Sequence, residues 1–442
     1  MSCSRAAAFL LSTLFPPLLL AQAGSIDAER IAAAVKPLES RLIEWRRDIH
    51  QHPELSNREV QTAKKVEAHL RSLGLEVKTG IAHTGVAAVL RGGKPGPTIA
   101  LRADMDALPV TELADVPFKS TAKGEYRGES VGVMHACGHD AHVAILMTVA
   151  QAFTAMRKEL PGNILFIFQP AEEGAPEGEK GGAKLMLNEG LFDIARPEAV
   201  FGLHVSSTLH AGDIGFRWGP FMAASDRMRI VVTGRQTHGA RPWQGADPIV
   251  ASAQIINSLQ TIISRQVDIT ENPAIVTVGA IRGGVRHNII PDDVELLGTV
   301  RTFDPEQRKL ILDAIQRIVE HVGEAQGTKA VLTLGEDPNP VVYNNPELVT
   351  RSLPALRRVA GDSHVKQIAL VTGSEDFAYY AATVPSFFFY VGITPPGRNL
   401  ETTPANHSPH FYIDESGLPL GVRALMAVAI DYMKGGSGAA KP

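Results

Sequence analysis

The apolar positions Ile31, Val35, Leu38, Leu42, Trp45 and Ile49 recur in alternating steps of four and three, the spacing of one helical face, with a kink expected at Pro37. A second helix follows. Ser56-x-x-Glu59 has the form of a capping box, Val60, Ala63, Val66, Leu70 and Leu73 make an apolar stripe, and Gly74 stands where a glycine cap belongs. Beyond it, β-rich runs at Val86 to Leu90, Thr98 to Arg102, Ile164 to Phe168 and Ala199 to Val205 alternate with helical patterns, among them Asp140 to Met156. Strand alternating with helix predicts an α/β sheet.

The pattern changes near Met228. Strand Met228 to Thr233, helix Asp247 to Gln266, strands Ala274 to Ile281 and Val294 to Phe303, a helix Pro305 to Ala325 capped by Asp304, and strand Ala330 to Leu334 follow in turn. The order β-α-β-β-α-β is that of a ferredoxin-like unit. The α/β character then resumes with a helix near Glu347 to Val359, strand Ser386 to Val391 and helix Leu418 to Met433. The expected organisation is a discontinuous α/β domain over residues 24–225 and 336–442, with residues 226–335 inserted as a lid. The tail Gly435 to Pro442 is too rich in Gly and Ala to order itself.

Composition narrows the function classes. With 442 residues, 44% hydrophobic and 20% charged, the chain suits a soluble globular protein with more than one core. A net charge of -4, with Lys and Arg scattered, gives no footprint for nucleic acid. No apolar run reaches the ~18 residues of a membrane span. The shorter run Ala6 to Leu20 follows Arg5 and leads into Ala21-Gln22-Ala23, the form of a signal peptide over residues 1–23 of a periplasmic or secreted protein. Pro16-Pro17 would break the alternative, an anchoring helix. Cys3 leaves with such a leader, so Cys137 has no partner for an intrachain disulfide and is a core residue, a reactive nucleophile or a metal ligand.

Four places in the α/β part carry polar residues that packing does not need: Asp104 and Asp106 after strand Thr98 to Arg102; His135, Cys137, His139, Asp140 and His142 before a helix; Glu172 and Glu173 after Ile164 to Phe168; and His204 on Ala199 to Val205. In open α/β sheets the ligand crevice lies at the carboxyl ends of the strands, where all four would converge. A thiol, imidazoles and carboxylates in one crevice suit a borderline-soft divalent ion such as zinc. Adjacent Glu172 and Glu173 in such a crevice suit a division of labour between ligand and general base, the chemistry of metal-assisted hydrolysis.

Read together, "RRDIHQHPELS", "ADMDALP", "HACGHDAH", "PAEEG", "GLHV", "RHNIIPDD", "GTVRTF", "GSEDFA" and "NHSPHF" resemble the metal-dependent aminoacylase and carboxypeptidase family over essentially the whole mature chain. The nearest branch is that of hippurate hydrolases, N-acyl-amino-acid amidohydrolases and indole-acetyl-amino-acid hydrolases. The resemblance implies a zinc-peptidase-like catalytic domain, a mixed sheet flanked by helices, carrying a ferredoxin-like lid. It implies that Cys137, His139, Glu173, His204 and His407 hold two divalent ions, zinc first, with manganese, cobalt or nickel as the alternatives. It makes Glu172 the general base and Asp106 the aspartate that orients a ligand. On the lid it implies that His238 stabilises the oxyanion, reaching across from a partner subunit, and that Asn288 and Arg301 hold polar groups of the substrate; a guanidinium fork suits a carboxylate. Asp104 is left without a firm role. His410 is expected at the surface, and His135 and His142 beside the ligands instead of among them. Gln236-Thr237 and Gly373-Ser374 stand where this branch often has Gly-Gly, which bears on the lid loop and substrate pocket.

The expected activity is hydrolysis of N-acyl amino acids by a homodimer joined through its lids. A metallo-exopeptidase is the first alternative, since the same machinery cleaves a peptide bond beside a free carboxylate. A non-catalytic binding protein with structural metals is the second, and a spare base at Glu172 argues against it.

Overall fold

The computed structural model describes residues 26–435; the expected leader and the tail beyond Gly435 lie outside the described residues. An eight-stranded mixed sheet forms the larger unit, in the order Glu76–Ile81, Gly85–Arg91, Pro161–Gln169, Lys94–Asp104, Ala199–His210, Ser386–Thr394, Ile214–Phe216, Val365–Gln367. Its middle, from Pro161–Gln169 to Ser386–Thr394, is parallel, and antiparallel partners flank it. Parallel strands are covered on both faces, and alternate residues here serve two cores. Ile99, Leu101 and Ala103 join Phe201, Leu203 and the helices His139–Ala155 and Leu418–Gly435; Ala100, Leu165, Val200 and Phe388 face the opposite way. Burial of Phe387, Phe388 and Phe389, each 0% exposed, contributes about 1.5–3 kcal/mol apiece. Because these strands run the same way, Asp104, Gln169 and His204 reach one edge of the sheet, where the site lies.

The expected lid is a separate four-stranded antiparallel sheet, in the order Ile275–Gly283, Asp293–Thr302, Ala224–Thr233, Lys329–Leu334. Helices Pro248–Arg265 and Pro305–Ala325 pack on one face through Ile255, Leu259, Ile311 and Ile315 against Met228, Ile230 and Leu296. Asp247 and Asp304 cap those helices, the first accepting from the amides of Ile249 and Val250 and the second from that of Gln307, and each is followed by a proline, which lacks the amide a helix start leaves idle. No helix of the described residues is long and apolar enough to cross a membrane.

Pro37 sits in a short 3-10 turn, Lys36–Leu38, that divides the first helical pattern into Ala28–Val35 and Glu39–Gln51. The capping box at Ser56 and Glu59 does not form. The helix is Val60–Ser72, Glu59 gives it no side-chain cap, and Glu54 accepts from the amides of Gln61 and Thr62 instead. Val60, which the apolar stripe placed on the packed face, is exposed. Ser56 and Glu59 serve the site: Ser56 Oγ donates to Asp106 Oδ2 at 2.7 Å, and Glu59 Oε1 accepts from the amides of Asn57 and Ala171.

Candidate metal centre

Helix His139–Ala155 begins at Gly138, whose φ of +107° is left-handed and where a Cβ would stand 2.3 Å from Val205 Cγ2. Only glycine permits this turn, which sets Cys137 and His139 against the strand that carries His204. Cys137 Sγ lies 3.2 Å from His204 Nε2 and 3.2 Å from His407 Nε2, and His407 Nε2 is 3.1 Å from Glu173 Oε1. The ligand atoms of Cys137, His139 and His204 lie within 4.8 Å of one another, as do those of Cys137, Glu173 and His407. Cys137 belongs to both groups. His407 and Ala171, the residue before Glu172, hold left-handed backbones at φ +73° and +53°, strain of the kind that gathers at functional sites.

The hydrogen bonds fix which nitrogen each ring offers. His204 Nδ1 donates to the Val205 carbonyl at 2.7 Å and His139 Nδ1 to the Asp106 carbonyl at 2.8 Å, which leaves both Nε2 lone pairs turned inward. His139 Nε2 is buried with no hydrogen-bond partner. An orphaned imidazole nitrogen beside a thiol and carboxylates is a donor set that a divalent cation fits, and two overlapping groups sharing Cys137 fit two cations. Asp106 organises the opposite wall: Oδ1 accepts from the amide of Glu172 and Oδ2 from that of Glu173, both at 3.0 Å. Asp104 acquires a role that the sequence left blank, since Oδ1 accepts from His142 Nδ1 at 2.6 Å. His142 Nε2 in turn accepts from the Val205 amide, so both its nitrogens are engaged and it supports the strand of His204. His135 is buried, burial holds it neutral down to about 3, and His410 is exposed.

Glu172 faces a concentration of negative charge. Burial first, then Glu375, Glu173 and Asp376, hold its carboxyl well above the usual range, and burial with Glu173 and Glu172 does the same to the Cys137 thiol. A bound cation favours the ionised forms of both and so opposes these shifts. Behind Glu172 lies a network that the sequence did not single out. Arg102, wholly buried, donates to Asp104, Glu375, Asp376 and Gln169 at 2.6 to 3.0 Å. Asn406, also overlooked, donates to the carbonyls of Cys137 and Val205 and accepts from Ser207, tying its own loop to that of Cys137 and to the strand of His204 beside His407.

The lid residues divide. Arg301 lines a cavity of about 470 Å³ together with Glu172, Glu173, Arg227 and Ser374. His238 and Asn288 are not in its wall: His238 pairs with Ile289 in a two-residue ladder, exposed, and Asn288 accepts from the Gly239 amide. Within one chain, then, the structure gathers Cys137, His139, Glu172, Glu173, His204 and His407 with Asp106 beside them, sets Arg301 in a cavity that it shares with Glu172 and Glu173, and leaves His238 and Asn288 outside that cavity.

Known proteins resemble the chain over most of its length. Thermostable carboxypeptidase 2 of Saccharolobus solfataricus is 40% identical over 405 residues, 91% of this chain and 98% of its own length. N-acetylcysteine deacetylase of Bacillus subtilis is 36% identical over 399 residues, covering 90% of this chain and 98% of itself. A solved dinuclear metal-binding peptidase of the M20 family, also from Bacillus subtilis, superposes with a TM-score of 0.74 at 34% identity, covering 90% of this chain and 99% of that one. The description "Peptidase family M20/M25/M40" matches residues 100–431, a span that begins on the strand of Asp104 and takes in the crevice and the lid, and the chain belongs to that family of metal-dependent hydrolases.

Proposed function

We propose that this hydrolase cleaves the amide of N-acyl amino acids, giving a carboxylic acid and a free amino acid. The observation that carries the reading is Glu172, a carboxyl beside the donor groups of Cys137 that makes no hydrogen bond to Arg102, whereas its neighbours Glu375 and Asp376 do. Cys137, His139 and His204 would hold one ion and Cys137, Glu173 and His407 the other, zinc by preference, with manganese, cobalt or nickel as alternatives. When bound, such ions polarise the amide carbonyl and acidify water, from a pKa of 15.7 toward about 7. Glu172 takes the proton of the attacking water and returns it to the leaving nitrogen. Asp106 keeps Glu172 and Glu173 in place through their amides. Arg301 receives the carboxylate of the amino-acid half, and Asn288 and His238 serve the other polar groups.

A panel of acetyl-, benzoyl-, indole-acetyl- and long-chain acyl-amino acids, assayed beside dipeptides, tests the reading: turnover of at least one acyl-amino acid well above any dipeptide is expected. The reverse order would make the protein an exopeptidase, the activity for which the Saccharolobus relatives are named. Cys137→Ala should lose metal at both positions, because the thiol belongs to both donor groups. Loss of a supporting residue typically weakens metal affinity by about 10- to 100-fold, and loss of a direct ligand should exceed that. Elemental analysis after dialysis reads the outcome; a full metal complement in the variant would remove Cys137 from the set.

His238, exposed and outside the cavity of its own chain, is assigned to the site of a partner joined through the lid. Pairing lid edges would also cover strands that invite aggregation when bare. Inactive His238→Ala and Glu172→Gln proteins, unfolded together and refolded as mixed dimers, should regain activity, because one of the two sites then holds both residues. Mixed dimers as inactive as their parents would confine His238 to its own chain.

A further inference from the structure

Two lid strands, Ala224–Thr233 and Asp293–Thr302, pair with Ser225 opposite Arg301 and Arg227 opposite Thr299. Met228 and Val300 point into the lid core, so Arg227, Thr299 and Arg301, which alternate with them, share the other face. That face forms one wall of the cavity holding Glu172 and Glu173. Arg227 reaches across it: a Cβ on Gly174, just past Glu173, would stand 3.7 Å from Arg227 Nη2.

Arg227 and Arg301 are diagonal neighbours, about 7–8 Å apart along such a ladder, and like charges so placed repel. Burial and then Arg227 lower the pKa of Arg301. Neither guanidinium has a hydrogen-bond or ion-pair partner among the described residues, and Arg301 Nη1 is buried without one. Lys184, which lines the same cavity from the α/β domain, is matched by Asp337. Ser225, Thr299, Asn339 and Ser374 make the surroundings of the two guanidinium groups polar. One carboxylate satisfies one guanidinium fork, and the second fork calls for a second anion.

We propose that Arg301 and Arg227 form a two-anion subsite, Arg301 for the α-carboxylate and Arg227 for a side-chain carboxylate, so that N-acyl derivatives of acidic amino acids are the preferred substrates. This rests on the amidohydrolase reading above. The test compares N-acetyl-glutamate and N-acetyl-aspartate with their amide isosteres, N-acetyl-glutamine and N-acetyl-asparagine, on the metal-loaded wild type, Arg227→Met and Arg227→Lys.

The wild type should favour the acids in kcat/KM by about 10- to 100-fold, the worth of one charged hydrogen-bonded contact. Arg227→Met should collapse that ratio at least tenfold, chiefly through KM, and Arg227→Lys should recover part of it. A ratio that Arg227→Met leaves unchanged, or a wild type that prefers the amides, overturns the subsite. If none of the four compounds is hydrolysed, the amidohydrolase reading is decided by the acyl panel above, and calorimetric titration with free glutamate and glutamine decides the subsite alone. Tighter glutamate binding that Arg227→Met abolishes would sustain it; equal affinities would overturn it.

Discussion

Glu172→Gln is expected to keep the fold and both metal ions while losing about 10² to 10⁴ in kcat, the usual worth of a general base. Glutamine matches the shape of glutamate, and the backbone at this position is set by Asp106 and not by the Glu172 side chain. In chelator-treated protein the substitution also withdraws one carboxyl from a crevice where Glu375, Glu173 and Asp376 already crowd it, so the thermal stability of the metal-free form should hold or rise. Metal content, melting temperature and kcat measured on one preparation separate the roles. A metal-replete variant with near-normal kcat would show that another group moves the proton. Loss of metal with loss of rate would make Glu172 a ligand instead.

The sequence exposed this site unevenly, for a physical reason. Cys137, His139, Glu172 and Glu173 stand in short polar clusters that interrupt apolar runs, so their chemistry is local and visible. The six lid elements were visible too, because each has a clean periodicity and Asp247-Pro248 and Asp304-Pro305 mark helix starts. Short strands such as Ile214–Phe216 and Val365–Gln367 are three residues long and carry no alternation to detect. Arg102 was concealed by lying in a strand that otherwise reads as apolar, and its partners Glu375 and Asp376 are 273 and 274 residues away along the chain. Ser56 and Glu59 misled for the opposite reason. Their spacing imitates a helix cap, and only the folded chain places them against Asp106 and Ala171.

What that concealed network contributes can be measured, and Arg102→Met is expected to destabilise the protein by about 3–5 kcal/mol, the cost of stripping one partner from a buried ion cluster. That is a large share of the 5–15 kcal/mol that typically separates folded from unfolded chains. Arg102 is 1% exposed and places hydrogen bonds on three carboxyls and on Gln169, whose amide nitrogen also donates to Asp376. Methionine fills the volume and supplies no charge, so Asp104, Glu375 and Asp376 would face one another unneutralised. Asp376 already sits at about 8, raised by burial even though Arg102 pulls it down. Without that pull its folded value rises further. A group whose folded pKa exceeds its unfolded one stabilises the fold below the unfolded value and loses that contribution as pH climbs through the folded value. The penalty of Arg102→Met should therefore be smallest near pH 5 and grow toward pH 9. Urea unfolding of metal-loaded and chelator-treated protein at both pH values reads it directly, and the chelated arm shows that the loss belongs to the cluster and not to displaced metal. Arg102→Lys should recover only part of the stability, because an ammonium keeps the charge but cannot span several acceptors as the planar fork does. A penalty under about 1 kcal/mol, or one that shrinks as pH rises, would mean that the three carboxyls settle their own charge and that Arg102 is not what aligns Asp104 and the Glu375-Asp376 turn behind Glu172.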